Sequence, residues 1–199
     1  MADHYYSSRP EAAHDRRIIE AVLRGRKFRF TSDAGVFSKQ EVDFGSKVLI
    51  EAMEIGSQAL ILDVGCGYGP IGLAAAVLAP QGHVTMIDVN ERAAALAEEN
   101  AKANGITNIT VLQSDIYSSV PEIEKFDVVL TNPPIRAGKA VVHAVFEGAY
   151  KRLKPGGALW VVIQKKQGAP SAKDKLEQHF SSVEEVTKEK GYRIFKAVK

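Results

Sequence analysis

A single cysteine, Cys66, in 199 residues leaves no disulfide framework and no cysteine-based metal site. The five histidines are scattered without the spacing of metal ligands, so no metal site is expected. Long apolar runs are missing as well. Ala74 to Ala79 is among the longest, far short of the ~18 residues a membrane span needs. The first residues, MADHYYSSRPEAAHDRR, lack the apolar core of a secretion signal. These absences predict a protein of the reducing cytoplasm with no membrane partner. No internal repeat or low-complexity stretch is present. Aromatic residues are few, at 8%, but 45% hydrophobic content supplies a sizeable core and excludes a wholly disordered chain.

The net charge is only +2, yet its distribution is uneven. Residues 1–30 hold seven basic and four acidic residues. Residues 31–150 hold seven basic and fifteen acidic. Residues 151–199 hold twelve basic and five acidic. Both ends are basic and the middle is acidic. Either the ends are solvated lysine-rich surface, or they face a polyanion.

From residue 59 onward, β-rich apolar runs alternate with helical patterns. The runs are 59–64, 83–88, 108–113, 126–131 and 158–163. Helices are predicted over 70–78, 90–104 and 138–153. The first has Pro70 at its start, the second opens on Asn90 and stops at Gly105, and the third closes at Lys154-Pro-Gly-Gly157. Repeated strand–helix–strand order predicts a parallel, doubly wound sheet, with ligands at the carboxyl ends of its strands. A helix over 171–180 and an antiparallel hairpin, 183–188 with 192–198, follow at the sheet edge. Residues 1–57 are too few for a domain. They read as a small cap on a main domain of residues 58–199. The cap is a hairpin turning at Arg24-Gly-Arg26, followed by a helix capped by Asp43 that runs to Met53.

Asp63-Val64-Gly65-Cys66-Gly67-Tyr68-Gly69-Pro70 ends the first run of the main domain. Alternate glycines between strand and helix let a ligand meet bare backbone. The dinucleotide fingerprint wants its third glycine where Pro70 stands, and no Gly-Lys-Ser/Thr of a phosphate loop follows. A tight turn with no ligand is the plainer alternative. Asp88, about twenty residues on, can accept both hydroxyls of a ribose, or merely cap the helix at Asn90. Asp115 holds the equivalent place after the next strand and can accept from an adenine amino group; it also suits a plain turn. Together they point to a nucleoside without demanding a phosphate.

Thr131-Asn132-Pro133-Pro134-Ile135 follows the fourth run. Two prolines fix the backbone and remove two donors, leaving carbonyls and the Asn132 side chain as acceptors. Such a corner suits a group that donates two hydrogens from one nitrogen, such as an exocyclic base amine. The catalysis would be mainly positioning.

Asp63-Val-Gly-Cys-Gly-Tyr-Gly, Asp88, Asp115 and Asn132-Pro-Pro-Ile resemble the motif series of class I S-adenosylmethionine-dependent methyltransferases. The Asn-Pro-Pro element resembles that of enzymes methylating amino groups of nucleobases or glutamine amides. His4-Tyr-Tyr-Ser7, Gly35-Val-Phe-Ser-Lys and Val42-Asp-Phe-Gly-Ser46 resemble, more narrowly, the ribosomal RNA small-subunit methyltransferase C-like family. The resemblance implies a Rossmann-like, mostly parallel seven-stranded sheet with S-adenosylmethionine as cofactor. It implies that Asp63, Gly65, Cys66, Gly67 and Gly69 line the methionine part and Asp88 and Val89 the ribose. Asp115 and Ile116 would flank the adenine. Asn132, Pro133 and Pro134 would hold the target amine, and Asp43, Gly45 and Ser46 would border the pocket. The implied substrate is guanine N2 in small-subunit ribosomal RNA.

Two departures from that pattern stand out. Ile135 replaces the aromatic that many amino methyltransferases carry after Asn-Pro-Pro, so Phe37 is the candidate ring for stacking on a flipped base. Better-studied members also carry a second, preceding domain, for which these 199 residues are too few, so RNA binding is expected to rest on the cap and the basic ends. Arg136 and Lys139 are candidate substrate contacts, and Lys165 and Lys166 candidate RNA contacts or simple solubilising charge. The rival readings are a methyltransferase of a protein glutamine amide or small molecule, and a cofactor-binding protein that performs no chemistry.

Overall fold

The computed structural model describes residues 7–199; His4, Tyr5 and Tyr6 of the N-terminal pattern lie outside them. Two strands open the described chain, β1 (Arg17–Leu23) and β2 (Arg26–Ser32), paired antiparallel. Arg24 and Gly25 both adopt positive φ, 48° and 77°, so the turn between them is a two-residue one and Arg26 already belongs to β2.

A seven-stranded sheet follows: β3 (Leu60–Val64), β4 (His83–Asp88), β5 (Ile109–Gln113), β6 (Phe126–Thr131), β7 (Leu153–Gln164), β8 (Ser182–Glu189) and β9 (Tyr192–Val198). Its order is β5-β4-β3-β6-β7-β9-β8. Strands β3 to β7 run parallel, and β9 and β8 close the edge antiparallel. The direction of winding reverses between β3 and β6. In that register Val64 stands beside Thr131 and Ile87 beside Val64. The glycine turn, Asp88 and Asn132 therefore leave the same edge of the sheet side by side, at the switch point where open α/β sheets take ligands.

Alternate strand residues feed two cores. Ile61, Met86, Leu130 and Trp160 point to one face. They meet the hairpin, α1 (Phe44–Ala52), α2 (Pro70–Leu78) and α3 (Glu91–Ala103). Leu62, Ile87, Val129 and Val161 point to the other, against α4 (Lys139–Arg152) and α5 (Ala169–Glu177). The hairpin shares the first core through Ile19, Leu23, Phe28 and Phe30. Buried Asn100 of α3 fastens it, accepting from the Thr31 amide at 2.7 Å and donating to the Thr31 and Tyr68 carbonyls at 2.9 and 2.8 Å. Arg24 donates to the Ile50, Glu51 and Met53 carbonyls at 3.0–3.1 Å, satisfying acceptors at the end of α1.

Two boundaries differ from the sequence expectation. β7 begins at Leu153 and takes in Lys154-Pro-Gly-Gly157, expected as the turn closing α4. Leu153 is fully buried beside Phe126, and the ladder shifts register between Phe126 and Val128, so the proline and glycines sit in a bulge of the strand. α5 starts two residues early, at Ala169, with Pro170 in its first turn, and ends at Glu177. Among the described residues no helix is long and apolar enough to cross a membrane.

Candidate active site

The glycine turn is built for close approach. Gly65 and Gly67 hold φ of 73° and 57°, a region that disfavours side chains. A Cβ on either would meet nothing within 4 Å, because both border a cavity of about 310 Å³. Gly69 plays another part. It precedes α2 with φ of 106°, and its Cβ would press on Met86 and Leu73 at 3.1–3.2 Å, away from the cavity. Cys66 lines the cavity as a buried thiol, its pKa raised well above the ordinary value by burial and by the Asp88 and Asp63 charges. A neutral thiol of this kind is a small apolar wall.

Asp63 stands behind the turn and does not border the cavity. It is fully buried, and neither carboxyl oxygen has a well-formed hydrogen bond among the described residues. Burial pushes its pKa up to about 7, the facing Gly72 amide opposing and the Asp88 charge adding to the rise. A Cβ on Gly72 would stand 2.8 Å from Asp63 Oδ2, so glycine lets the first turn of α2 approach the carboxyl.

Asp88 does reach the cavity. Its Oδ2 accepts from the Gly67 amide and its Oδ1 from the Asn90 amide, both at 2.8 Å, so the same carboxylate shapes the turn and faces the site. Both oxygens keep a second lone pair. Burial raises its pKa to about 6, partly offset by the Asn90, Gly67 and Val89 amides. Val89 lines the cavity beside it.

Asp115 and Ile116 border the cavity as well, together with Ser114, a residue the sequence reading missed. Ile116 has φ of 49°, an unfavourable conformation for a β-branched residue. Ser114 braces that bend: its hydroxyl donates to the Ile116 carbonyl at 3.1 Å and accepts from the Ser119 amide at 3.0 Å.

The Asn-Pro-Pro corner is held from the N-terminal segment. Asn132 Nδ2 donates to Asp43 Oδ2 and to Ser46 Oγ, each at 3.0 Å. Asp43 Oδ2 also accepts from the Ser46 amide at 3.0 Å, capping α1. Asn132 lines the cavity together with Asp43 and Ser46, and with its amino side tied to them its Oδ1 is the atom left to accept. Pro134 lines it too. Pro133 is buried outside it, and its carbonyl already accepts from the Ile135 amide at 2.9 Å, leaving one lone pair.

The expected substrate residues are divided. Phe37 lines the cavity and is 39% exposed. Ile135 and Lys139 border a second, neighbouring cleft of about 160 Å³ with His143, Gln167 and Ser171. Arg136 is exposed and borders neither. Among the described residues no group of three or more His, Cys, Asp or Glu could hold a metal.

The fold and the site thus bring a bare glycine turn, an acid after the second strand and an acceptor corner after the fourth to one edge of a sheet wound in two directions. Residues 27–196 match the model of the methyltransferase small domain, and the chain belongs to that family. The uncharacterized protein YbxB of Bacillus subtilis is 55% identical over 200 residues, covering all of both chains. The ribosomal RNA large subunit methyltransferase G of Streptomyces avermitilis is 33% identical over 174 residues, covering 85% of this chain and 45% of that one. The solved Thermus thermophilus 16S rRNA N2 G1207 methyltransferase (RsmC), in complex with AdoMet and guanosine, superposes with a TM-score of 0.83 at 27% identity. That match covers 96% of this chain and 52% of RsmC. The chain thus spans all of YbxB but about half of the two rRNA enzymes.

Proposed function

We propose that this protein transfers a methyl group from S-adenosylmethionine to the exocyclic amine of a nucleobase, guanine N2 of small-subunit ribosomal RNA. The observation that carries the reading is the Asn132 carboxamide on the cavity wall, its amino side bound to Asp43 and Ser46, which leaves its oxygen as the group with free lone pairs. A site shaped around an acceptor, such as a carboxylate substrate, would present the amino side. A site for an NH2 group presents oxygen.

The cavity suits the cofactor on two counts. The open space where Cβ atoms of Gly65 and Gly67 would stand accommodates a ligand against backbone, and Asp88 offers free lone pairs for two ribose hydroxyls. Asp115, Ile116 and Ser114 would hold the adenine end. When bound, S-adenosylmethionine supplies an electrophilic methyl carbon on a cationic sulfur. Asn132 Oδ1 accepts one amine hydrogen; the remaining lone pair of the Pro133 carbonyl, set back from the cavity wall, would take the other once the base is seated. Holding both favours a pyramidal nitrogen, whose lone pair is withdrawn from the ring. The N–C bond forms as the S–C bond breaks, and the surplus amine proton leaves to water, since an amide and a carbonyl oxygen are not bases at neutral pH. Orientation is the main contribution, and effective molarities of ~10⁵ M or more are open to it.

Phe37, on the cavity wall where Ile135 is not, supplies the ring on which the target base stacks. Phe37→Ala is expected to raise KM for the nucleobase substrate about tenfold, within the ~1–3 kcal/mol of one base–aromatic stack, while the cofactor Kd stays the same. Steady-state kinetics with guanosine beside cofactor calorimetry measures both.

The pH dependence follows from Asp88. Its carboxyl, raised from 3.8 to about 6, is protonated below that pH and can then no longer accept from two hydroxyls. Cofactor affinity is expected to fall as pH drops through about 6, and Asp88→Asn to be weak and pH-independent. Stability runs the other way. Asp63 and Asp88 bind protons more readily folded than unfolded, so between pH 3.8 and about 7 their contribution to stability declines as pH rises. Calorimetric Kd values and thermal midpoints across this range separate the two trends.

The test of the reading is transfer of labelled methyl from S-adenosylmethionine to small-subunit rRNA, large-subunit rRNA, cell protein and free nucleosides in parallel. Label on guanine N2 of small-subunit rRNA is expected. Label on the large-subunit RNA alone moves the target; label on protein glutamine, or none despite cofactor binding, refutes the reading.

A further inference from the structure

Many lysines and arginines of this chain are paired with acids. Lys39, Lys47, Lys154, Lys175, Arg193 and Lys196 each have a carboxylate partner. Others, Lys27 and Lys102 among them, have no such partner among the described residues; what marks the candidate active site is that four of these cations gather beside it. Arg136, Lys139, Lys165 and Lys166 are exposed, and none has a carboxylate within ion-pair distance among the described residues.

The fold places these four together. Arg136 and Lys139 follow the Asn-Pro-Pro corner at the carboxyl end of β6, and Lys165 and Lys166 follow β7, its neighbour in the sheet. The Lys165 amide donates to the Gly191 carbonyl at 2.7 Å, bringing the β8–β9 turn alongside. That turn carries Lys190, whose ammonium sits 4.5 Å from the centre of the Phe44 ring, next to Asp43 in sequence. One acid, Glu189, shares the turn. Between the two pairs of cations lies the second cleft, bordered by Lys139, His143, Gln167 and Ser171. Like charges gathered on one edge repel, and Glu189 is the one acid on these segments. A row of this kind is suited to a polyanion.

We infer that this row is the track of the RNA backbone. Phosphates run from Arg136 and Lys139 to Lys165, Lys166 and Lys190, and a nucleotide adjoining the target seats in the α4–α5 cleft. His143, Gln167 and Ser171 offer that nucleotide hydrogen-bonding groups. The inference rests on the reading of the target as a nucleobase, and it adds what that reading lacks, a path for the strand.

The test is binding of a small-subunit rRNA transcript to the full chain between about 50 and 300 mM salt. Lys165→Ala with Lys166→Ala, and separately Arg136→Ala with Lys139→Ala, is expected to weaken binding about tenfold at low salt. Each pair is expected to flatten the slope of log K against log salt by about 1.5, since each phosphate contact contributes ~0.7–0.9. Lys27→Ala with Lys102→Ala removes the same charge from β2 and α3, away from the row, and is expected to leave the slope unchanged. Cofactor calorimetry on each variant verifies folding. Equal effects from all three pairs would reduce the row to net charge and overturn the inference, as would no effect from the first two. Polyglutamate binding that depends on the row while RNA binding does not would assign the surface to an acidic protein. Binding tests the row and methyl transfer tests the reading. RNA bound through the row but never methylated refutes only the reading; RNA methylated with the row dispensable refutes only the row.

Discussion

Replacing Asn132 with alanine is expected to lower turnover about 100- to 1,000-fold while changing cofactor affinity less than about twofold. Removal of one preorganised polar contact to the reacting group has effects of this size. The cofactor's expected contacts, Gly65 and Gly67 in the turn after β3 and Asp88 at the end of β4, are untouched by the change. Loss of the carboxamide leaves Asp43 Oδ2 with the Ser46 amide, so α1 keeps its cap. The pair of Asp43 variants sharpens this prediction. Asp43→Ser preserves a good helix cap but is too short to reach Asn132; turnover should drop about tenfold with the melting temperature nearly unchanged. Asp43→Asn places an acceptor oxygen where Oδ2 stands and should restore most of the rate. A purely structural role for Asp43 would make rate follow stability across both variants. Single-turnover methyl transfer with guanosine or RNA, alongside cofactor calorimetry, reads all three.

The second large effect is at the glycine turn. Gly67→Ala forces a side chain into φ of 57° and directs its methyl into the cavity. The conformational part costs about 1–2 kcal/mol of stability. The steric part acts only on the ligand, so cofactor Kd should rise more than tenfold in a protein that still folds. Gly69→Ala is the contrast: its Cβ would strike Met86 and Leu73, so stability should suffer more than cofactor contact does. Thermal unfolding with and without S-adenosylmethionine distinguishes them, because the ligand-induced rise in midpoint should shrink for Gly67→Ala and persist for Gly69→Ala.

Much of this arrangement is legible in the chain because it is local. The apolar runs ending at Val64, Asp88 and Thr131 are strands because they are covered on both faces, and their order forces the glycine turn and Asn132 onto one edge. The caps at Asp43 and Asn90 are local as well, each accepting from the amide three residues on. What was not legible depends on contacts far apart in the chain. Nothing near Asp43 indicates that it also grips Asn132, 89 positions away. Asp63 and Gly69 sit in a motif whose neighbours face the cavity, yet their side of the turn faces α2 and Met86. Ile135 follows the Asn-Pro-Pro corner directly, but the bend at Pro134 carries it to the second cleft, while Phe37, a hundred residues earlier, takes the cavity wall. Lys154-Pro-Gly-Gly157 has the composition of a turn and is drawn into β7 by the burial of Leu153 beside Phe126.

The most direct measurement is a structure of this protein with a non-reactive S-adenosylmethionine analogue and guanosine bound together. The ribose should be found on Asp88, the analogue's sulfur against Gly65 and Gly67, and the guanine N2 within hydrogen-bond distance of Asn132 Oδ1 and in line with the sulfur. Guanosine bound with N2 turned away from Asn132, or an analogue seated outside the glycine turn, would contradict the account.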